Sequence, residues 1–110
     1  MISAAYCSKE LCRLLDKKGI EAHHVMAFVK GGSWYKKYTL DIACRWLREV
    51  HRLHIEILAA YHFRSFDGYS FEVYDISKSE FVNYASDKGY FKTAEEALES
   101  AIRYCVGNLI

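Results

Sequence analysis

The chain has 110 residues, of which 52% are hydrophobic and 26% are charged, and its formal net charge is +1. This apolar fraction supplies a core and excludes a disordered tail, and the near-neutral charge excludes a global electrostatic pull toward nucleic acid or an anionic membrane. A chain of this length is typical of one domain, so we predict a single domain over residues 1–110.

Hydrophobic runs and cysteines bear on location. The apolar runs are far shorter than the roughly 20 residues that span a bilayer, and the first residues lack the pattern of a secretory signal. The four cysteines form no C-x-x-C pair, and three of them fall in helical stretches. This pattern indicates small buried hydrophobes in a reducing compartment rather than disulfides. We therefore predict a cytoplasmic protein without a membrane partner.

The first predicted element is a helix over residues 3–18. Its apolar residues recur at spacings of three and four, and Gly19 supplies a left-handed stop. Ser3 and Ser8 are both suitable N-caps, which leaves the start of the helix open.

A strand and a second helix follow. Residues 22–30 alternate between two largely apolar sets, which predicts a strand that is covered on both faces or lies in the middle of a sheet. Residues 34–38 fit a short edge strand or a loop. Residues 39–51 form a helix with one broad apolar stripe and Thr39 as its N-cap.

Residues 54–65 and 69–76 are predicted to form a β-hairpin. A three-residue loop at 66–68, with glycine in its last position, pairs Phe63 with Phe71 and keeps apolar residues opposite each other. The predicted core face of the hairpin comprises Ile55, Ile57, Tyr61, Phe63, Tyr69, Phe71 and Val73.

The last third contains the clearest helix. Residues 80–86 fit a further strand, and 87–89 fit a turn. The sequence Thr-Ala-Glu-Glu from Thr93 is a capping box, and an unbroken apolar stripe follows it through residues 93–106. Gly107 is predicted to end this helix.

The element order is α-β-α-β-β-(β)-α, which predicts an α+β fold. We expect two layers, with helices packed on one face of a three- to four-stranded, mostly antiparallel sheet. The opposite face carries polar side chains that are open to solvent or a partner, namely His54, Glu56, His62, Arg64, Glu72 and Tyr74.

No residue pattern indicates catalysis or metal binding. His51 and His54 form an H-x-x-H, but a metal site needs three or four converging donors, and His62 lies roughly 26 Å farther along an extended strand. The sequence has no G-x-S-x-G, P-loop or glycine-rich dinucleotide fingerprint. We therefore assign no catalytic residue, cofactor or metal. A small enzyme is the third hypothesis, with His62 or His54 as its acid–base group.

Two features bear on nucleic-acid binding. Arg45, Arg48 and Arg52 form a basic helix face suited to phosphates, although interleaved acidic residues favour a solvated face. The sequence Asp-Gly-Tyr-Ser-Phe-Glu-Val-Tyr at residues 67–74 resembles the longer strand motif of the RNA-recognition-motif family, and residues 27–31 resemble the shorter one.

That resemblance implies that Tyr69, Phe71 and Phe28 stack on RNA bases. The chain departs from the family pattern because its motif begins with an acidic residue and places a glutamate at an aliphatic position. It also has no strand after the last helix. The predicted hairpin register further places Tyr69 and Phe71 in the core rather than on an RNA-binding face.

Three segments carry a second resemblance, namely residues 11–19, 46–57 and 89–105. Together they resemble a group of short bacterial proteins of unknown function from gut anaerobes, carried on mobile or prophage elements. The resemblance implies a bacterial, cytoplasmic, single-domain protein. It implies no catalytic residues.

Aromatic content carries the leading functional hypothesis. Aromatic residues make up 15% of the chain and include nine tyrosines, and tyrosine and tryptophan are favoured at protein interfaces. We predict a non-enzymatic protein-interaction or homo-oligomerising domain whose partner is itself or another protein. The alternative is an RNA- or DNA-binding module that uses the sheet face or the arginine helix face. The candidate interaction surface comprises Trp34, Tyr35, Tyr38, His54, His62, Arg64, Tyr74 and Tyr84.

Overall fold

The computed structural model describes residues 5–84 and 90–110. Its elements follow the order α-β-β-α-β-β-β-α, which confirms the predicted α+β class. The elements are α1 Lys9–Lys17, β1 Val25–Val29, β2 Ser33–Lys37, α2 Leu40–Val50, β3 Leu53–His62, β4 Ser65–Asp75, β5 Glu80–Tyr84 and α3 Ala94–Asn108. The strands form two antiparallel sheets, β1-β2 and β3-β4-β5, where the sequence predicted one.

Helix α1 begins later than predicted. Residues 5–8 are not helical, and the hydroxyl oxygen of Ser8 accepts a hydrogen bond from the Leu11 N–H at 3.3 Å. Ser8 is therefore the N-cap, and the alternative cap, Ser3, lies outside the described residues. The helix ends as expected, with Gly19 in a positive-φ conformation just after it.

Strands β1 and β2 form a two-stranded ribbon, so residues 33–37 are a strand rather than a loop. The prediction that the first strand is covered on both faces or lies in the middle of a sheet is wrong in both alternatives. Val25, Met26 and Phe28 are exposed, because β1 pairs with one short strand and nothing among the described residues covers its outer face.

The core lies where α2 and α3 pack against β3 and β4 and where α1 packs against β2. Thr39 caps α2 as predicted, since its hydroxyl oxygen accepts the Ile42 N–H at 3.2 Å. The most deeply buried large side chains are Tyr38, Leu11, Leu15, Leu47, Ile102, Val73, Val106, Cys12 and Cys105.

The β3–β4 hairpin has a different turn from the predicted one. Ile57 pairs with Phe71, and the chain reverses at Phe63 and Arg64, so the predicted loop at 66–68 is wrong. The face assignment near the helices is right, because the predicted and observed registers differ by an even number of residues and so leave the same residues on each face. The error came from Gly68, which lies inside β4 rather than in the turn.

The predicted core face fails beyond the middle of the hairpin. Phe71 and Val73 are buried, and Ile57 is partly buried against the core. Tyr61 and Phe63, by contrast, are 67% and 92% exposed. The register shifts between Ala60 and Tyr61, and the residues beyond this bulge are not covered by a helix.

The C-terminal part confirms two predictions and corrects a third. Strand β5 lies within the predicted range, whereas the predicted turn at 87–89 lies outside the described residues. The hydroxyl of Thr93 accepts the Glu96 N–H at 3.1 Å, as the capping box requires. Gly107 does not end α3, because the helix continues to Asn108 and Leu109 is its C-cap.

The molecule is elongated. Its radius of gyration is 14.9 Å and its longest extent is 50 Å, whereas a compact domain of this length has a radius of about 13 Å. A hairpin with an uncovered distal half accounts for part of this extension. Among the described residues, no helix has the length and apolarity needed to cross a membrane.

Replacing Arg52 with glycine should stabilise the protein by about 0.5–1 kcal/mol. Arg52 follows the C-cap of α2 at φ 58°, where glycine carries no steric penalty. Arg48→Gly is the matched control, since the same replacement inside α2 should destabilise by about 1 kcal/mol. Urea unfolding of both variants measures the difference. A loss of stability in Arg52→Gly would show that the arginine side chain outweighs the backbone strain.

Candidate functional site

The distal part of the hairpin, residues 61–67, is the most exposed aromatic segment that the structure describes, and we call it the hairpin tip. All seven residues are exposed. The Tyr61 and Phe66 rings lie 5.4 Å apart, and Phe66 also contacts Tyr69 at 5.1 Å. Phe63 is exposed in the turn next to them, with the His62 imidazole 4.6 Å away as its aromatic neighbour. The tip therefore presents a small aromatic cluster to solvent.

Phe63 occupies a backbone conformation that does not suit it. Its φ is 56°, in the left-handed region where a bulky side chain is rare and costs about 1–2 kcal/mol. Glycine or asparagine is the usual residue in such a turn. Phe63 thus combines backbone strain with almost complete exposure of an apolar ring, and neither contributes to the stability of the isolated chain.

The β1–β2 ribbon carries a second exposed aromatic surface. Phe28 and Trp34 are cross-strand partners with ring centroids 5.0 Å apart, and Met26 lies on the same face. Trp34 is 61% exposed. A cross-strand aromatic pair stabilises a ribbon by itself, so this surface has a structural explanation, as does the Tyr61–Phe66 pair of the hairpin tip. Phe63, in the turn, has no cross-strand partner in the β3–β4 register.

The structure distributes the predicted interaction residues over separate places. Trp34 is exposed on the ribbon and Tyr35 is half-buried beside it. His62 and Arg64 belong to the hairpin tip and are both exposed. The sequence analysis therefore identified two of the seven tip residues but placed Tyr61 and Phe63 in the core.

Of the other predicted surface residues, His54 and Tyr74 are cross-strand partners near the base of the hairpin. Both are half-buried. Tyr84 ends β5, and its side chain lies outside the described part of the structure.

Tyr38 does not belong to any exposed surface, which corrects the sequence prediction. Its side chain is 1% exposed. Its carbonyl oxygen accepts the Cys7 N–H at 2.9 Å, its own N–H donates to the Cys12 sulfur at 3.5 Å, and its ring meets the edge of His24 at 5.7 Å. Tyr38 is a core residue because the chain turns inward beneath α1 at the end of β2.

The polar face of the hairpin contains an unfavourable charge pair. Glu56 and Glu72 are directly opposite each other in the register of β3 and β4, and like charges so placed destabilise a sheet. The His54 imidazole lies 2.8 Å from the Glu56 carboxylate and offsets part of the repulsion. No group of three or more potential metal ligands occurs in the described residues.

Arg45, Arg48 and Arg52 are all exposed on or just after α2. No ion pair joins them to a carboxylate within residues 5–84 and 90–110. The nucleic-acid contacts assigned to these arginines stay a prediction.

The base-stacking arrangement implied by the RNA-recognition-motif resemblance does not occur among the described residues. Such a motif places its stacking aromatics on adjacent strands of one sheet. Phe28 lies in the β1–β2 ribbon, whereas Tyr69 and Phe71 lie in the other sheet. Phe71 is also buried in the core, so it cannot stack on a base.

The four cysteines are free thiols, which confirms the prediction that they form no disulfide. The Cys12 sulfur interacts with the Cys7 thiol and the Tyr38 N–H, and these hydrogen bonds lower the pKa of Cys12. The same contact and burial raise the pKa of Cys7. Burial raises the pKa of both Cys44 and Cys105 to about 12.

These raised pKa values predict a loss of stability in alkali. A thiol whose pKa is higher in the folded state contributes its full share to the free energy of unfolding below its ordinary pKa near 9. That contribution is lost as the pH rises toward 12, because the unfolded state then ionises more readily than the folded state. Each such group should cost about 1.4 kcal/mol per pH unit in this range. Between about pH 8 and pH 10, the free energy of unfolding of Cys44→Ala should therefore fall by about 1.4 kcal/mol less than that of the wild type. Equal losses in denaturant titrations at the two pH values would contradict this assignment.

No protein-family model, curated protein or solved structure matches this chain. The resemblance to a group of gut anaerobe proteins therefore stays a prediction. Functional inference depends on the exposed surfaces themselves.

Proposed function

We propose that the protein is a small, non-enzymatic protein-interaction domain of the cytoplasm and that the hairpin tip is its contact element. The observation that carries the proposal is Phe63, which is 92% exposed at positive φ. An aromatic side chain held in this way costs stability in the isolated chain. Burial of the Phe63 ring against a partner would offset this loss of stability, because a buried aromatic ring contributes strongly to binding.

The architecture around the tip suits this role. Leu53 of β3 and Phe71 and Val73 of β4 are buried in the core, but both strands extend well past it. A two-stranded hairpin alone is marginal in water, so the buried base supports an arm that a partner can cover. Free thiols suit the reducing compartment that the proposal assumes.

In-cell photocrosslinking tests the proposal. The photoreactive residue p-benzoylphenylalanine replaces Phe63 and conserves its aromatic character. The control position is Glu95, which is exposed in the first turn of α3. We expect discrete protein adducts from position 63 and only diffuse background from position 95. Equal background from both positions would contradict an interaction role for the tip.

A further inference from the structure

We propose that the partner is a second copy of this chain and that the two copies pair antiparallel through the outer edge of β3, with Ala59 on the twofold axis. This inference builds on the proposed function, because it names the occupant of the surface next to the hairpin tip. The evidence is an unpaired strand edge together with the charge and size pattern along it.

The outer edge of β3 is open in the described part of the chain. β3 has one strand neighbour, β4, and no backbone hydrogen bond outside that ladder reaches residues 54–62. The bulge in the hairpin adds its extra residue, Asp67, to β4, so β3 itself continues without interruption. Soluble proteins usually protect a long edge with lysine, proline or a bulge. The centre of β3 instead reads Leu58-Ala59-Ala60.

A twofold axis through Ala59 makes this edge self-complementary. Residues 56–62 of one copy then lie opposite residues 62–56 of the other, and each pair occurs twice. Glu56 faces His62 of the second copy, where an imidazole N–H donates to the carboxylate. Tyr61 faces Ile57, which is an aromatic–aliphatic cross-strand pair. The small Ala59 side chains meet at the axis.

This register explains two features that the single chain leaves unfavourable. Glu56 has like-charged Glu72 on its inner side, which the neighbouring His54 only partly offsets, and His62 of the second copy would give it a further partner on its outer side. Tyr61 is 67% exposed, and the second copy would cover it with Ile57. The pairing also places the strained Phe63 turn of each copy beside the first residues of the other copy's β3.

A charge-exchange experiment tests the pairing by sedimentation equilibrium up to millimolar concentration. We expect wild-type protein to show a monomer–dimer equilibrium. Glu56→Lys and His62→Glu should each weaken it by about tenfold or more, since the first removes the carboxylate acceptor at two symmetric positions and the second sets two carboxylates opposite each other at both. The double variant Glu56→Lys/His62→Glu should restore it, because the introduced lysine of one copy then faces the introduced glutamate of the other.

The control is Glu80→Lys, which makes the same charge change on β5 at the opposite edge of the sheet. It should leave the dimer constant unchanged. Glu56 and His62 are both exposed in the monomer, so we expect the variants to fold, and circular dichroism checks that they do. A wild-type protein that stays monomeric, or single variants that dimerise as well as the wild type, would overturn the inference.

The outcomes also separate this inference from the proposed function. If position 63 crosslinks to a different protein while the wild type stays monomeric, the self-pairing is wrong and the interaction role stands. If position 63 gives no adduct and the charge exchange behaves as expected, the β3 edge dimerises without the tip acting as a contact element.

Discussion

Gly68→Ala should lower the free energy of unfolding by about 3–5 kcal/mol, which is a large fraction of the stability of a small domain. Gly68 lies inside β4 at φ 134°, a conformation that is essentially restricted to glycine. An added Cβ would lie 2.7 Å from the Phe91 carbonyl oxygen and 2.9 Å from the Tyr90 Cβ. The Phe91 backbone cannot move away easily, because Tyr69 and Phe91 exchange two hydrogen bonds of 2.8 Å.

Gly31→Ala is the matched control for this prediction. Gly31 also has a positive φ, 114°, but an added Cβ meets nothing within 4 Å. We expect it to lose about 1–2 kcal/mol from backbone strain alone. Urea unfolding of both variants therefore isolates the close approach of Phe91. Equal losses would contradict the tight packing of the two backbones at Gly68.

Tyr38→Ala should destabilise the protein by about 3–5 kcal/mol, because it removes a fully buried aromatic ring from the core. Tyr38 is among the largest fully buried side chains in the described structure. Tyr38→Phe keeps the ring and loses only the hydroxyl, so we expect a cost of about 1 kcal/mol.

Trp34→Ala tests the same prediction from the surface. Trp34 lies four residues earlier, on the exposed ribbon. Its replacement should lower the free energy of unfolding by less than about 1.5 kcal/mol, since only the pairing of Trp34 with Phe28 is lost. Thermal or urea denaturation orders the three variants. A Tyr38→Ala protein as stable as Trp34→Ala would show that Tyr38 is not part of the core.

Features set by local interactions could be predicted from the sequence. Ser8, Thr39 and Thr93 each cap a helix, because a hydroxyl acceptor before an apolar stripe satisfies a free backbone N–H wherever the helix packs. The faces of β3 and β4 near the core also followed from the alternation of Ile55 and Ile57. These features depend on neighbours along the chain and not on tertiary structure.

The candidate site could not be predicted because its local chemistry points elsewhere. The hairpin turn consists of Phe63 and Arg64, whereas Gly68 offered the expected turn residue a few positions later. Tyr61 continued an apolar alternation that stops being buried where the helices no longer cover the sheet. Such conflict between local preference and observed structure is typical of functional sites. The prediction that Tyr38 is exposed was wrong for a different reason, since nothing in the sequence signals that the chain turns inward after β2.

The most direct test of the hairpin tip as the contact element is a comparison of photocrosslinking from its Phe63 with photocrosslinking from Trp34 on the ribbon. Both side chains are aromatic and exposed, so they differ mainly in the surface they report. We predict a discrete adduct from position 63 that exceeds any adduct from position 34. An adduct from position 34 with none from position 63 would move the interaction surface to the ribbon and contradict this account.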